Sequence, residues 1–286
     1  MNFQTDLAIE RHEMLKKEKT RLLNQEKYDV ESIKISKLTI KNEKLSKIYN
    51  KPIGKYVTVE ISGFDLSANE IKAISDEISS LLPEDGLILV CGLGNDDITA
   101  DALGPKCVDN ILSTRHIKEE FAKNIGLDSL RAVACIIPGV LGKTGIETIE
   151  IIKGVVNAIK PKAVIVIDSL ASRKLSRLGK TIQITNTGIT PGSGIGNSRK
   201  EISKKILGID VISIGVPTVV GARTLLSDIV NEENIDTIIS KDEQKLIVTS
   251  KDIDFWIKRA SKAIALSINI ALQKNISTED IISLTS

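Results

Sequence analysis

Apolar and polar positions alternate between two periods along this chain, and the switch from one to the other predicts its elements. Tyr56 to Ile61 alternates at a period of two and is rich in β-branched residues, which predicts a half-buried strand. Ser67 to Leu82 then reads as a helix, with Ile71, Ile74, Ile78 and Leu81 on one stripe, Ser67 as a cap and Pro83 as the stop. From Leu87 the rhythm becomes strand, loop, helix. Strands are predicted over Leu87 to Cys91, Arg131 to Ile137, Val164 to Ile167, Thr181 to Thr185, Val211 to Gly215 and Leu246 to Thr249. Helices are predicted over Ile146 to Ile159, and over Asp252 to Gln273 with the single tryptophan, Trp256. Residues 7–30 are charged and read as a helix in which Leu7, Ile9, Leu15 and Leu22 are loosely periodic.

This alternation implies right-handed crossovers and an α/β architecture: three αβα layers around a mostly parallel central sheet. One domain with a loosely attached N-terminal part is expected. The run Ala163 to Ile167 is aliphatic at every position, as in a central strand buried on both faces, and it ends on Asp168. Open α/β sheets place ligand chemistry at the carboxyl ends of such strands. Burial there raises a carboxylate's pKa unless a partner or water stabilises the charge.

Composition narrows the picture. The apolar fraction of 42% supports a sizeable core, while aromatics at 3% leave that core to Ile, Leu, Val and Ala and argue against a base-stacking surface. A net charge of +2 demands no nucleic-acid partner. The dense lysines from Lys16 to Lys55 alternate with acids and read as a solvated surface. Cys91, Cys107 and Cys135 form no CxxC pair, and Cys91 and Cys135, inside apolar runs, read as core thiols rather than disulfide partners. No signal region or membrane-length apolar run is present in the sequence, so a cytosolic protein is expected.

Five loops could carry chemistry. The first, Gly92-Leu-Gly94-Asn95 through Gly104-Pro105, lacks the third glycine of a dinucleotide turn and the Lys-Ser/Thr of a phosphate loop. Its density of acids stands out instead. Asp96 and Asp97 read as turn formers, and Asp101, deeper in the loop, as the chemical candidate. The second, Pro138 to Thr148, includes Gly139 and Gly142 and opens a helix at which Glu147 favours the dipole. The third carries Asp168. The fourth, Thr187 to Asn197, includes Gly192 and Gly194 and can line a groove for an extended peptide. The fifth is Gly215-Val-Pro217-Thr218, read as a strand-end turn. All five follow predicted strands and should gather at one sheet edge, with Asp101 facing Asp168. Two carboxylates so placed divide base and acid roles on a water. Metal binding competes as a use, although His12 and His116 lack ligand spacing. Ser193 has no evident histidine partner, and no GxSxG elbow occurs.

Taken together the motifs resemble the germination protease (spore endopeptidase) family. The residues that carry the resemblance are Thr5 to Glu10, Gly92 to Asn95, Asp101 to Pro105, Pro138 to Gly142 with Thr144 to Thr148, Ile167 to Arg173, Gly188 to Asn197 and Gly215 to Val220. The resemblance implies a fold similar to hydrogenase maturation proteases and a homotetramer. It also implies a protease of the spore-core cytoplasm, made as a zymogen, that degrades small acid-soluble spore proteins during germination. The family's catalytic aspartates fall on Asp101 and Asp168. Gly139, Gly142, Gly192 and Gly194 are the residues expected to bind the extended substrate. The family's processing site falls between Asp6 and Leu7, leaving residues 1–6 as a short propeptide and residues 7–286 as the protease domain. Ala100 and Gly221 depart from the family pattern, as does the near absence of an insertion before the last helix. No cofactor, metal, membrane or nucleic acid is expected. Two other readings are a metal-dependent maturation-type peptidase and a non-catalytic nucleotide- or peptide-binding α/β protein.

Overall fold

The computed structural model describes residues 5–17, 25–117, 130–196, 199–229, 240 and 242–285. Helix α1 (Ala8–Lys17) precedes an antiparallel pair, β1 (Glu26–Val30) and β2 (Ile33–Ile40), which turn about Glu31 at φ 51°. Helix α2 (Glu43–Tyr49) leads into β3 (Gly54–Glu60). Helix α3 (Ala68–Ser79) opens on a capping box between Ser67 and Glu70, so the expected cap is the real one. Strand β4 (Ile88–Gly92), helix α4 (Leu103–Val108), strand β5 (Val133–Ile136), helix α5 (Thr148–Ile159) and strand β6 (Ala163–Ala171) follow. Then come β7 (Thr181–Thr185), β8 (Asp210–Gly221), α6 (Ala222–Ile229), β9 (Ile247–Val248), α7 (Ile253–Leu272) and α8 (Thr278–Thr285).

The sheet runs in the order β1-β2-β3-β7-β8-β6-β4-β5, with β9 paired to β8. The half that carries the strand-end loops, β8-β6-β4-β5, is parallel throughout. The other half, β1 through β7, is antiparallel at every pairing, including β7 against β8. The fold is α/β, with helices on both faces. On one face Ile88, Val90, Ile165 and Ile167 pack with Ile74 and Ile78 of α3 and with Ile257, Ile264 and Ile268 of α7. On the other, Leu89, Cys91, Val164 and Val166 pack with Ile149, Ile152 and Val156 of α5. Fully burying one such side chain is worth about 1.5–3 kcal/mol, so the two-sided apolar run explains why β6 is central.

Three expectations need correction. The helix expected over residues 7–30 ends at Lys17, and residues 26–30 form a strand; Leu22 lies outside the described residues. The lysine-rich stretch is not merely a solvated surface: β2 buries Ile33 and Ile35 on one face and Leu38 and Ile40 on the other. Strands β6 and β8 also run past their expected ends. Asp168 therefore lies inside its strand, and Gly215 to Thr218 is strand rather than turn. Pro217 is accommodated beside the register shift between Leu170 and Ala171.

Candidate active site

The loop after β4 is held against β6 by a backbone hydrogen bond and by the buried Leu93 side chain, which packs with Val164 and Val166. Leu93 N–H donates to the Ile167 carbonyl at 2.8 Å. Gly104 permits that approach, since a Cβ there would lie 2.2 Å from the Leu93 oxygen and 2.6 Å from the Ile167 oxygen. Gly94, at φ +114°, turns the loop back on itself; a Cβ there would lie 1.9 Å from the Asp101 carbonyl oxygen. Asp101 thus comes to face β6, and its Oδ2 accepts the Asn95 N–H at 2.8 Å.

Asp168 continues the face of Val164 and Val166 because side chains alternate along β6. It is 5% exposed, and its Oδ1 accepts the Ser169 N–H at 2.9 Å. Burial, then the charge of Asp101, then the charge of Asp6 push its pKa well above the ordinary carboxylate range, against the Ser169 N–H. Burial also raises Asp101, opposed by the Asn95 N–H. The two carboxylates line one cavity of about 400 Å³ with Gly139, Gly142, Gly192 and Asp6. Neighbouring carboxyls with raised pKa values favour a state in which they share a proton.

The remaining expected residues are distributed around this cavity. Gly194 contacts the Asp6 carboxylate, and a Cβ there would lie 2.3 Å from Asp6 Oδ2. Glu147 lines the cavity as the residue before α5. Asp96 and Asp97 are exposed and pair with Lys106 and Lys143, as turn formers would. The loop after β7 reaches the site for a different reason than expected. Because β7 is antiparallel to β8, that loop starts beside Ser213, below the site, and returns through Pro191, Gly192 and Ile195. Asn197 lies outside the described residues. His12 is buried and its Nδ1 lies 2.9 Å from the Tyr49 hydroxyl. Among the described residues, no helix is long and apolar enough to cross a membrane, and no group of three or more His, Cys, Asp or Glu could hold a metal ion.

Sequence reasoning did not foresee how the N-terminal segment is held. Asp6 N–H donates to the Ala171 carbonyl at 3.0 Å, and Asp6 Oδ2 accepts the Ala171 N–H at 2.8 Å. Its Oδ1 accepts the Ser193 hydroxyl at 2.7 Å. Leu7 is fully buried, in a cluster with Leu38, Tyr56 and Leu170. Glu10, 1% exposed, accepts the N–H groups of Arg173 and Lys174 at 2.7 and 3.0 Å and so pins the turn leaving β6. Arg177 stands 3.6 Å from it and binds Glu13 and Glu60 at 2.6 and 2.7 Å. The only sequence signal for this docking was the apolar spacing of Leu7, Ala8 and Ile9 beside two acids.

A family profile described as "Germination protease" matches residues 4–234. A germination protease of Caldanaerobacter subterraneus is 41% identical, covering 98% of this chain and 97% of that protein. One from Clostridium perfringens strain 13 is 44% identical, covering 98% of each. Among solved structures, a nickel–iron hydrogenase maturation protease from Thermococcus kodakarensis aligns with a TM-score of 0.36 at 16% identity, over 67% of this chain and 98% of that one.

Proposed function

The chain belongs to the germination protease family, peptidases of spore germination, and from that premise we propose that it hydrolyses peptide bonds with Asp101 and Asp168 as a catalytic pair. The observation that carries this reading is the shared cavity: the buried carboxyl of Asp168, within β6, and the half-buried carboxyl of Asp101, in the loop after β4, both line it, and the charge of Asp101 raises the pKa of Asp168. One carboxyl holds a proton and the other is ionised. The ionised one takes a proton from a water as that water's oxygen bonds to the carbonyl carbon, and the π pair moves onto the carbonyl oxygen. When the adduct collapses, the C–N bond breaks and the leaving nitrogen takes the proton returned by the pair. Base and acid are not divided between the two, since coupled carboxyls titrate as a unit.

Gly139, Gly142, Gly192 and Gly194 would border the extended substrate. The proposed substrates are small acid-soluble spore proteins in the spore-core cytoplasm, and the proposed assembly is a homotetramer. We also propose that the chain is made as a zymogen cut between Asp6 and Leu7. Asp6 reaching the cavity from the end of a short propeptide supports that site. The test is degradation of a purified small acid-soluble spore protein by the chain and by its Asp101→Asn and Asp168→Asn variants. Each variant is expected to lose on the order of 10³-fold or more in rate. Full activity in either one ends the two-aspartate account.

A further inference from the structure

Two polar side chains outside the aspartate pair grip the backbone on both sides of the Asp6–Leu7 bond. Gln183 Nε2 donates to the Asp6 carbonyl at 3.0 Å, while its Oε1 accepts the Ala8 N–H at 2.7 Å. Lys51 Nζ donates to the same Asp6 carbonyl at 2.8 Å and to the Thr5 carbonyl at 3.2 Å. Neither interaction depends on the identity of the side chains gripped, so a second extended peptide could be held in the same way.

The position of Gln183 relates it to the aspartates. Gln183 pairs with Gly215 across β7 and β8, and Gly215 pairs with Asp168 across β8 and β6. The two side chains therefore lie on one face of the sheet in one row, with a glycine between them. Asp6 lines both the aspartate cavity and a second cavity of about 230 Å³ that includes Lys51 and Gln183. Lys51 is also chemically odd. It makes no ion pair with a carboxylate among the described residues and spends its ammonium on two carbonyls. Burial lowers its pKa, as does Arg11, while Asp6 and Glu10 raise it. A half-buried cation without a carboxylate partner is costly for a purely structural role. It is well suited to an oxygen that becomes negative.

We propose that Lys51 and Gln183 are the carbonyl-holding residues of this peptidase: they fix the acyl-side carbonyl of the bond to be cut and stabilise the charge that gathers on its oxygen. The inference rests on cleavage at Asp6–Leu7. During attack the π pair of the Asp6 carbonyl moves onto the oxygen that Lys51 and Gln183 already contact. Preorganised donors of this kind are worth about 10²–10³-fold each in a water-poor site.

The test is the rate at which the full chain shortens to a start at Leu7, followed by intact mass, together with hydrogen exchange at the Ala8 amide. Lys51→Met is expected to slow shortening about 10²-fold or more, with the Ala8 amide as protected as in the parent chain. Lys51→Arg, which keeps the charge, restores most of the rate. Gln183→Met gives a second comparison if Lys51→Met fails to fold; it slows shortening about 10-fold or more, beyond any loss of Ala8 protection. Unchanged rates in both Met variants, or rate losses fully matched by undocking at Ala8, overturn the proposal. A parent chain that never yields a Leu7 start instead removes the cleavage reading, and this inference with it.

Discussion

The side chain of Asp6 is bound by the hydroxyl of Ser193, whose Oγ donates to Asp6 Oδ1 at 2.7 Å across 187 positions of sequence. That contact joins the N-terminal segment to the glycine loop after β7, and with the Ala171 N–H it forms a receptor for one carboxylate at the edge of the aspartate cavity. Ser193→Ala removes a hydroxyl hydrogen bond to a carboxylate, worth about 1.5–3 kcal/mol. Exchange of the amides over residues 5–8 should speed up in this variant while the core amides of β6 stay protected. Unchanged exchange would show that Ser193 does not hold the segment.

Gly194→Ala tests the same receptor sterically. Its added methyl would start 2.3 Å from Asp6 Oδ2 and 2.7 Å from Ala171 Cβ, so one of them must move. Overpacking of this kind costs about 1–3 kcal/mol. The expected readout is slower conversion to a Leu7 start, because the Asp6 carboxylate is displaced. Gly154→Ala is the control, since a Cβ at Gly154, within α5 and outside the cavity, meets nothing within 4 Å.

The raised pKa of Asp168 makes a signed prediction about stability. A carboxyl whose folded pKa lies above its unfolded value contributes stability that is complete below the unfolded pKa and is lost as pH rises through the folded one. Asp168→Asn does not titrate. Its melting temperature should match the parent at acidic pH and exceed it increasingly as pH climbs past the ordinary carboxylate range. Burial, Asp101 and Asp6 together raise Asp168, and Asp6→Asn removes the last of these, so in that background the divergence should level off at lower pH and be smaller. Equal pH dependence of parent and Asp168→Asn would remove the claim that this carboxyl is buried as an acid.

Glu10 ties the N-terminal helix to the turn that leaves β6. Truncating one partner of a buried, hydrogen-bonded charge cluster typically costs about 3–5 kcal/mol. Glu10→Ala, which frees the Arg173 and Lys174 amides and leaves Arg177 with Glu13 and Glu60, should lower the denaturation midpoint accordingly. A shift no larger than that of an exposed surface substitution would contradict the clamp.

The parallel half of the fold was legible because its signal is local. The aliphatic run at Ala163 to Ile167, the capped stripe from Ser67 and the glycine turn at Gly92 each report their own environment. Asp101 and Asp168 came out of that same signal, as acids beside buried strands. In the antiparallel half β3 and β7 were legible, from Tyr56 to Ile61 and Thr181 to Thr185, while β1 and β2 were hidden for a physical reason: β1 is exposed, and Lys34 and Lys37 interrupt the apolar positions on both faces of β2. The extra length of β6 and β8 was hidden by Pro217 and Gly215, which read as a turn in sequence but are strand residues. The grip of Gln183, Lys51 and Glu10 on the N-terminal segment could not be read at all. It depends on pairings more than 40 residues apart, such as Lys51 with Asp6 at a separation of 45, and no local pattern encodes them.

The central claim is that Asp101 and Asp168 act together on a peptide bond, and the chain's own N-terminus is the most direct substrate. The measurement is the new N-terminus formed when the purified full chain and its Asp168→Asn variant are held under mildly acidic conditions, read by intact mass and terminal sequencing. The account predicts a start at Leu7 in the parent chain and none in the variant. A variant that shortens to Leu7 as fast as its parent would contradict it.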